Sequence, residues 1–256
     1  MMKTTKANTL INTIAMKQAY FAIFLLIFSV KGWTQQDPQY TQYMYATQVV
    51  NPAYVGSEEA LSFNLLYRTQ WVGFEGAPKT GTFTVGSPIG NLDDMGLGLS
   101  IVRDEIGPAI ESNVVVDYSY AINLSLNSRL AFGVKAGFDI LDVDFTKLNI
   151  GDPDDPFFQN NIDNRFQPQV GAGIYFNTQK FYAGLSVPNF LETKHFDEAE
   201  ITSSDFSRVA QERIHFFLIT GYVFDVSENF KFKPAAMVKA THGSPIALDI
   251  SGFSIK

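Results

Sequence analysis

A regular alternation of apolar and non-apolar side chains runs through most of this chain and restricts the fold more than any motif does. The clearest example is residues 129–140, where one face is large and apolar and the other is small or charged: Leu130, Phe132, Val134, Ala136, Phe138 and Ile140 against Ala131, Gly133, Lys135, Gly137 and Asp139. Successive side chains of a strand point to opposite faces, so a period of two predicts β-structure. About ten such segments are closed by turn-forming residues, near 60–68, 79–87, 95–103, 110–122, 129–140, 166–177, 180–187, 213–224, 229–241 and 245–254. The sequence therefore predicts an all-β chain.

The non-apolar face indicates where the apolar face points. A period of two fits both a soluble core and a lipid-facing sheet. Strand surfaces in water favour Thr, Lys and Glu, whereas this face is rich in Gly, Ala and Ser, with scattered charges at Asp117, Lys135, Asp139, Lys231 and Lys239. That composition suits a crowded or wet lumen. We therefore expect residues 60–256 to form a transmembrane antiparallel β-barrel of the outer membrane.

The lengths of the connections support the same barrel. Even-numbered connections are short, and odd-numbered ones include the two longest, 141–165 and 188–212. An outer-membrane barrel has short periplasmic turns and longer outer loops. The odd-numbered connections near 104–109 and 242–244 are short, so the rule holds better for the inner turns than for the outer loops.

The N-terminal residues predict export. An apolar run from Ala19 to Val30 follows Lys17 and is shorter than a comfortable membrane span, and small residues at Gly32 and Thr34 suit a signal peptidase. We therefore predict a signal peptide over 1–34 and a periplasmic arm over 35–59; the alternative for the leader is a membrane-anchor helix. Cleavage removes four lysines from 19 basic residues and leaves 15 against 26 acidic ones. A net charge of −11 argues against nucleic acid as a partner.

The stretch Arg68–Lys79 is predicted to be the first outer connection. It is rich in hairpin residues, with Gly73, Gly76 and Pro78. Trp71 and Phe74 in the same stretch are expected where an aromatic girdle meets the lipid head groups.

Three blocks of sequence also resemble a known family. They are QDPQYTQYM at 36–44, NPAYVGS at 51–57 and RTQWVGFEGAPKT at 68–80. The chain resembles the PorP/SprF family of type IX secretion system membrane proteins from Bacteroidetes. That resemblance implies an outer-membrane barrel that scaffolds or anchors secreted surface adhesins and contacts periplasmic motor or peptidoglycan-linked components. Family members usually continue with several more strands beyond the region that corresponds to 242–250, so a barrel lacking its last C-terminal strands is expected here.

Candidate binding residues fall in two places. Tyr40, Tyr43, Asn51, Pro52 and Tyr54 precede the first strand, in a segment that is either a periplasmic tether or lumen plug meeting the motor complex, or an arm packed on the barrel rim. Together with Trp71 and Phe74 they form the predicted partner-binding set. Outer-membrane lipid is the other expected contact.

The remaining clusters give little indication of catalysis or metal binding. Three carboxylates at Asp152, Asp154 and Asp155 are a weak candidate for calcium, but two prolines and a spacing unlike an EF-hand favour a solvated acidic turn. The histidines are scattered, and there is no nucleophile-elbow or phosphate-binding glycine motif. We expect a non-enzymatic protein without a cofactor. The alternative function is a passive porin or hydrophobic-solute transporter.

Overall fold

The computed structural model describes residues 46–58, 60–90, 94–148, 161–191, 214–227, 230–241 and 243–255. These residues form one antiparallel sheet with eleven strands: β1 (Ser62–Thr69), β2 (Lys79–Ile89), β3 (Met95–Ile106), β4 (Ala109–Ser125), β5 (Ser128–Val143), β6 (Ile162–Thr178), β7 (Phe181–Val187), β8 (His215–Tyr222), β9 (Phe224–Ser227), β10 (Phe230–Thr241) and β11 (Ala247–Ile255). Three short helices accompany them: α1 (Thr47–Val50), η1 (Pro52–Tyr54) and η2 (Phe145–Lys147). Within the described ranges, no helix has the length and apolar character needed to cross a lipid bilayer.

Neighbouring strands in the sheet are mostly neighbours in the sequence. β1 to β8 pair in chain order, β8 pairs with β10, and β10 pairs with β11, while β9 pairs with β10 alone. Two-residue connections at 107–108, 126–127 and 179–180 enforce antiparallel pairing. β1 and β11 stand at the two ends of this order, and in the described residues no backbone pairing joins them. The sheet is thus barrel-like but is not closed.

The small and charged face of the sheet is the buried one. Asp117 on β4 lies opposite Lys135 on β5 in the register, and these residues are 0% and 2% exposed. Their sequence neighbours Tyr118 and Val134 are 39% and 56% exposed. The prediction that large apolar side chains face outward around a small, charged interior is therefore confirmed for these strands.

A short segment at residues 46–58, here called the inner segment, lies against the buried face. Gln48 Nε2 is 3.2 Å from the Val85 carbonyl oxygen of β2, and Asn51 Nδ2 donates to the Ile174 carbonyl oxygen of β6 at 3.1 Å. In a flat sheet β2 and β6 would lie about 19 Å apart, since neighbouring strands are spaced by about 4.8 Å. Two side chains only three residues apart cannot span that width. The sheet must therefore curve around the inner segment.

Two details differ from the sequence prediction. The structure contains an eleventh strand, β9, where a plain turn over 225–228 is predicted; β9 forms a short hairpin with the start of β10, and the register shifts between Phe230 and Lys231. Of the charges predicted to face the lumen, Asp117, Lys135, Asp139 and Lys239 are buried. The fifth, Lys231, has a side chain that is 54% exposed and lies 3.7 Å from the Asp225 carboxylate, because it belongs to this exposed hairpin.

Candidate functional site

The inner segment is built from two turns of helix joined at Asn51. The Asn51 side chain accepts a hydrogen bond from the Ala53 amide at 3.0 Å and so caps η1. Pro52 occupies the first helical position, where its missing N–H costs nothing. At Gly56 the backbone turns with φ of 75°, a region that favours glycine. The NPAYVG sequence thus encodes a compact turn that ends at Gly56.

A buried ion pair holds the first helix of this segment. Asp117 Oδ1 lies 3.3 Å from Lys135 Nζ, and the side chains of this pair are 0% and 1% exposed. Lys135 Nζ also donates to the carbonyl oxygens of Gln48 and Val49 at 3.3 and 2.8 Å. These carbonyls lie at the C-terminal end of α1, where a cation is favoured. Lys135 therefore links the wall of the barrel to the inner segment.

Gln48 completes this polar cluster from the other side. Its Nε2 lies 3.1 Å from Ser100 Oγ and 3.2 Å from Asp117 Oδ2. Ser100 Oγ itself donates to the same carboxylate oxygen at 3.1 Å. Buried polar groups are costly unless they are hydrogen-bonded. The inner segment thus supplies donors and acceptors that the charged pair needs once it is buried.

Glycines on β3 and β5 make room for the segment's backbone. A Cβ at Gly133 of β5 would overlap the Ala53 nitrogen, and one at Gly96 of β3 would overlap the Val55 carbonyl oxygen. On β4, which lies between them, Ser119 Oγ donates to that same Val55 oxygen at 2.5 Å. Any larger residue at the glycines would keep the segment away from the wall. We call the inward-facing residues of β2 to β7 that contact residues 46–58 the seat.

Two residues of the segment reach further round the barrel. Asn51 fits between Gly173 of β6 and Gly184 of β7, where a Cβ at Gly184 would lie 2.6 Å from Asn51 Nδ2. The Tyr54 ring meets Tyr175 edge-on, with centroids 5.4 Å apart, and its hydroxyl donates to Glu58 at 2.8 Å. Burial, followed by the nearby Glu58 carboxylate, raises the pKa of Tyr54 above its usual range. Tyr54 therefore stays a neutral donor.

The predicted first outer connection forms the hairpin loop between β1 and β2. It is closed by a hydrogen bond from the Gln70 amide to the Pro78 carbonyl at 2.9 Å. Its apolar side chains Trp71, Val72 and Phe74 are 71%, 83% and 76% exposed. Trp71 has a φ of 48°, an uncommon conformation for a large side chain. The loop thus presents three exposed apolar groups.

The predicted binding residues therefore fall in separate places. Asn51, Pro52 and Tyr54 lie in the seat, and Trp71 and Phe74 lie on the β1–β2 hairpin. Tyr40, Tyr43, the leader 1–34 and the acidic cluster Asp152, Asp154 and Asp155 fall outside the described residues, as do His195, His242 and most of loop 188–212. No group of three potential metal-ligating side chains occurs in the part of the chain that the structure describes.

Sequence reasoning missed the side chains that anchor the segment. Lys135 and Asp117 were predicted only as scattered lumen charges, and Gln48 was not singled out. A signal was present, since glycines recur at inward positions of neighbouring strands. Gly96, Gly98, Gly133 and Gly173 contact the backbone or side chains of the inner segment, whereas Gly171 contacts Pro188.

Comparison with known families fits this architecture. The family model described as type IX secretion system membrane protein PorP/SprF matches residues 33–255. The chain belongs to the PorP/SprF family. A search of curated proteins and a search of solved structures each found no match. As a PorP/SprF member the protein is a membrane component of the type IX secretion system.

Proposed function

We propose that this PorP/SprF protein is an outer-membrane component of the type IX machinery that scaffolds or anchors secreted surface proteins and contacts periplasmic motor components. The apolar face that points outward suits contact with lipid. Membership of the PorP/SprF family indicates that the protein works with the type IX secretion machinery. The mature chain would begin after the predicted leader at residue 34. The predicted periplasmic arm, 35–59, includes the inner segment.

The observation that carries a scaffold rather than a channel is the occupied interior. Residues 46–58 contact inward-facing groups of six consecutive strands, β2 to β7. The cavity lined by Gly56, Asp94, Ser119 and Arg129 has a volume of about 10 Å³, which holds at most about one water molecule. A barrel filled in this way serves as a rigid support for partners better than as a passive pore.

The first test is genetic and uses cell-surface display. Deleting the gene should abolish display of one or more type IX cargo adhesins, and the wild-type chain should restore it. Normal display of every cargo protein in the deletion strain would contradict the proposal. A band that migrates faster in unheated samples reports that each variant protein is folded.

A second test addresses the β1–β2 hairpin as a contact for partners. Trp71→Asn combined with Phe74→Ser removes two exposed rings, and Asn tolerates the positive φ at position 71. Display of the cargo should fall while protein level and folding are retained. Leu61→Asn is the matched control, because Leu61 is 57% exposed just before the other end of β1. An equal effect of both changes would point to general damage to the exposed surface.

The location is tested by fractionation. We expect the protein in the outer-membrane fraction, with a mature N-terminus at Gln35 found by Edman sequencing. An uncleaved protein in the inner-membrane fraction would favour the anchor-helix alternative and contradict the proposed location.

The alternative function, a passive porin, is separated by solute leak. Liposomes that contain the purified wild-type protein should retain small sugars, because the inner segment fills the space beside the seat. Swelling at the rate of an open porin would favour the alternative. Our proposal expects no such leak from the wild-type protein.

A further inference from the structure

Many of the contacts that hold the inner segment are of a kind that water can replace. They are hydrogen bonds from Lys135, Gln48, Asn51 and Ser119, together with backbone packed on glycines. The buried apolar residues Val50, Ala53 and Val55 have small side chains, as do Ala46 and Pro52, and the one large ring, Tyr54, meets Tyr175 edge-on. The sequence contains no cysteine, so no disulfide fixes the segment. Polar contacts exchange for contacts with water at little net cost, unlike a large apolar core.

Polar inward-facing groups continue along the wall on one side of the segment. Going along β3 from Ser100, the inward positions lead to Asp104, which accepts a hydrogen bond from Thr80 at 2.5 Å. On β4 and β5 the corresponding groups are Asn113 and Asp139, whose hydrogen bond is 2.5 Å long. Thr82 Oγ1, between these levels, is buried and has no hydrogen-bond partner among the described residues. Such a group is normally satisfied by water.

Polar groups also lie on the other side of the segment. The small cavity there is lined by Asp94, Ser119, Arg129 and Asn177. Val55 and Gly56 of the inner segment also line this cavity, whose volume is about 10 Å³. The inner segment thus separates two polar stretches of one wall.

We propose that residues 46–58 are a gate and that the protein has a latent permeability to water and small hydrated ions. In the closed state the Asp117–Lys135 pair and Gln48 hold α1 on the wall. When the segment leaves its seat, water replaces its hydrogen bonds, and the two polar stretches join into one path. This activity goes beyond the scaffold role, which requires no permeability.

The main test removes the lysine that holds α1. Lys135→Met eliminates both hydrogen bonds to the α1 carbonyls and leaves Asp117 without its counter-charge. The equilibrium between the closed and open states should therefore shift strongly towards the open state. Ion efflux from liposomes that contain the variant should rise at least about tenfold over wild type, which corresponds to a modest shift in the gating equilibrium. The matched control is Lys239→Met. Lys239 is also a buried lysine, but it lies on β10 with its ammonium 5.6 Å from the Phe217 ring centroid.

An engineered cross-link distinguishes gating from damage. A Cβ at Gly86 would lie 3.1 Å from Val55 Cγ2, so Val55→Cys with Gly86→Cys brings the two thiols close together, and the Gln48 side chain, 2.8 Å from the same Cβ, must shift in both redox states. In the Lys135→Met background, oxidation should suppress the efflux and a reductant should restore it. The chain has no other cysteine to compete.

If Lys135→Met fails to fold, Gln48→Ala serves in its place, because it retains both members of the ion pair. Efflux that is the same in the oxidised and reduced forms of the cross-linked variant would overturn the gate. So would a folded Lys135→Met or Gln48→Ala variant whose ion efflux stays as low as that of the wild type. Cargo display reports on the scaffold role independently. Loss of display in the deletion strain, together with wild-type ion efflux in both Lys135→Met and Gln48→Ala, would therefore reject only the gate.

Discussion

The inner walls of the two halves of this sheet are built differently. From β3 to β6 the inward positions include Gly96, Gly133 and Gly173, and the backbone and side chains of the inner segment fill the space. On β8 and β10 they carry larger side chains, and Ile219 and Met237 face each other in register at 2% and 3% exposure. One half is filled by another part of the chain and the other by its own side chains, and the two fillings meet in one apolar cluster that includes Ala53, Ile219 and Met237. The comparison shows that inward glycines decide where a barrel wall can accept a plug.

The largest effect is expected at the ion pair in the glycine-lined half. Lys135→Met should destabilise the folded protein by about 3 to 5 kcal/mol, because it leaves Asp117 as an uncompensated buried charge. The measure is the temperature at which the compact gel band converts to the unfolded one. Lys135→Met with Asp117→Leu should recover much of the loss, since apolar replacement of a whole pair is often tolerated. A double variant as unstable as the single one would show that the carboxylate of Asp117 has an additional role.

A cavity in the side-chain-filled half should lower stability without freeing the segment. Met237→Ala is expected to cost about 2 to 5 kcal/mol, as truncations of buried residues do. Chymotrypsin cleavage after Tyr54 should remain slow in the native protein, because the hydrogen bonds of the segment are to β2–β6 and should hold it even though Met237 shares an apolar cluster with Ala53. Rapid cleavage in this variant would mean that the two halves are not independent.

Adding one methyl group in the seat should lower stability and, unlike the Met237 change, also free the inner segment. Gly133→Ala places a Cβ on the Ala53 nitrogen and should cost about 1 to 3 kcal/mol as an overpacking change. Cleavage after Tyr54 should become faster. Gly81→Ala is the control, because a Cβ there would meet no atom closer than Tyr67 Cδ2 at 3.9 Å. If both variants behave alike, the glycine seat does not hold the segment.

The smallest effect is expected at the exposed ion pair between Lys180 and Asp225, which lies outside both walls. Lys180 Nζ lies 2.7 Å from an Asp225 carboxylate oxygen, and the hydrogen bond to that carboxylate raises the pKa of Lys180. Because the pKa of Lys180 is raised in the folded state, its charged form stabilises the fold. This stabilisation is fully present below the ordinary pKa of 10.5 and is lost as the pH rises through the folded-state pKa. Asp225→Asn should therefore lower the melting temperature slightly at pH 8, and the difference should vanish in strongly alkaline buffer. A difference that persists there would exclude the ion pair as its cause.

Much of the fold was predictable from local pattern. All ten predicted strands occur, because period two and turn residues are properties of short stretches. The eleventh, β9, was missed because four exposed residues, Phe224–Ser227, give too short a pattern beside a turn. For the candidate site, the sequence indicated Asn51, Pro52 and Tyr54 and the lumen charges, but not that they lie together.

By itself the sequence determined which faces of the strands are apolar and, through the small and charged residues opposite, that this apolar face points outward. Only the tertiary structure decided that Gln48 and Asn51 would reach strands as far along the chain as β4 and β6. The reason is physical. A glycine in a strand has the same local signature whether it relieves crowding or admits another backbone, and the curvature that brings Gly133 against Ala53 is a property of the whole sheet.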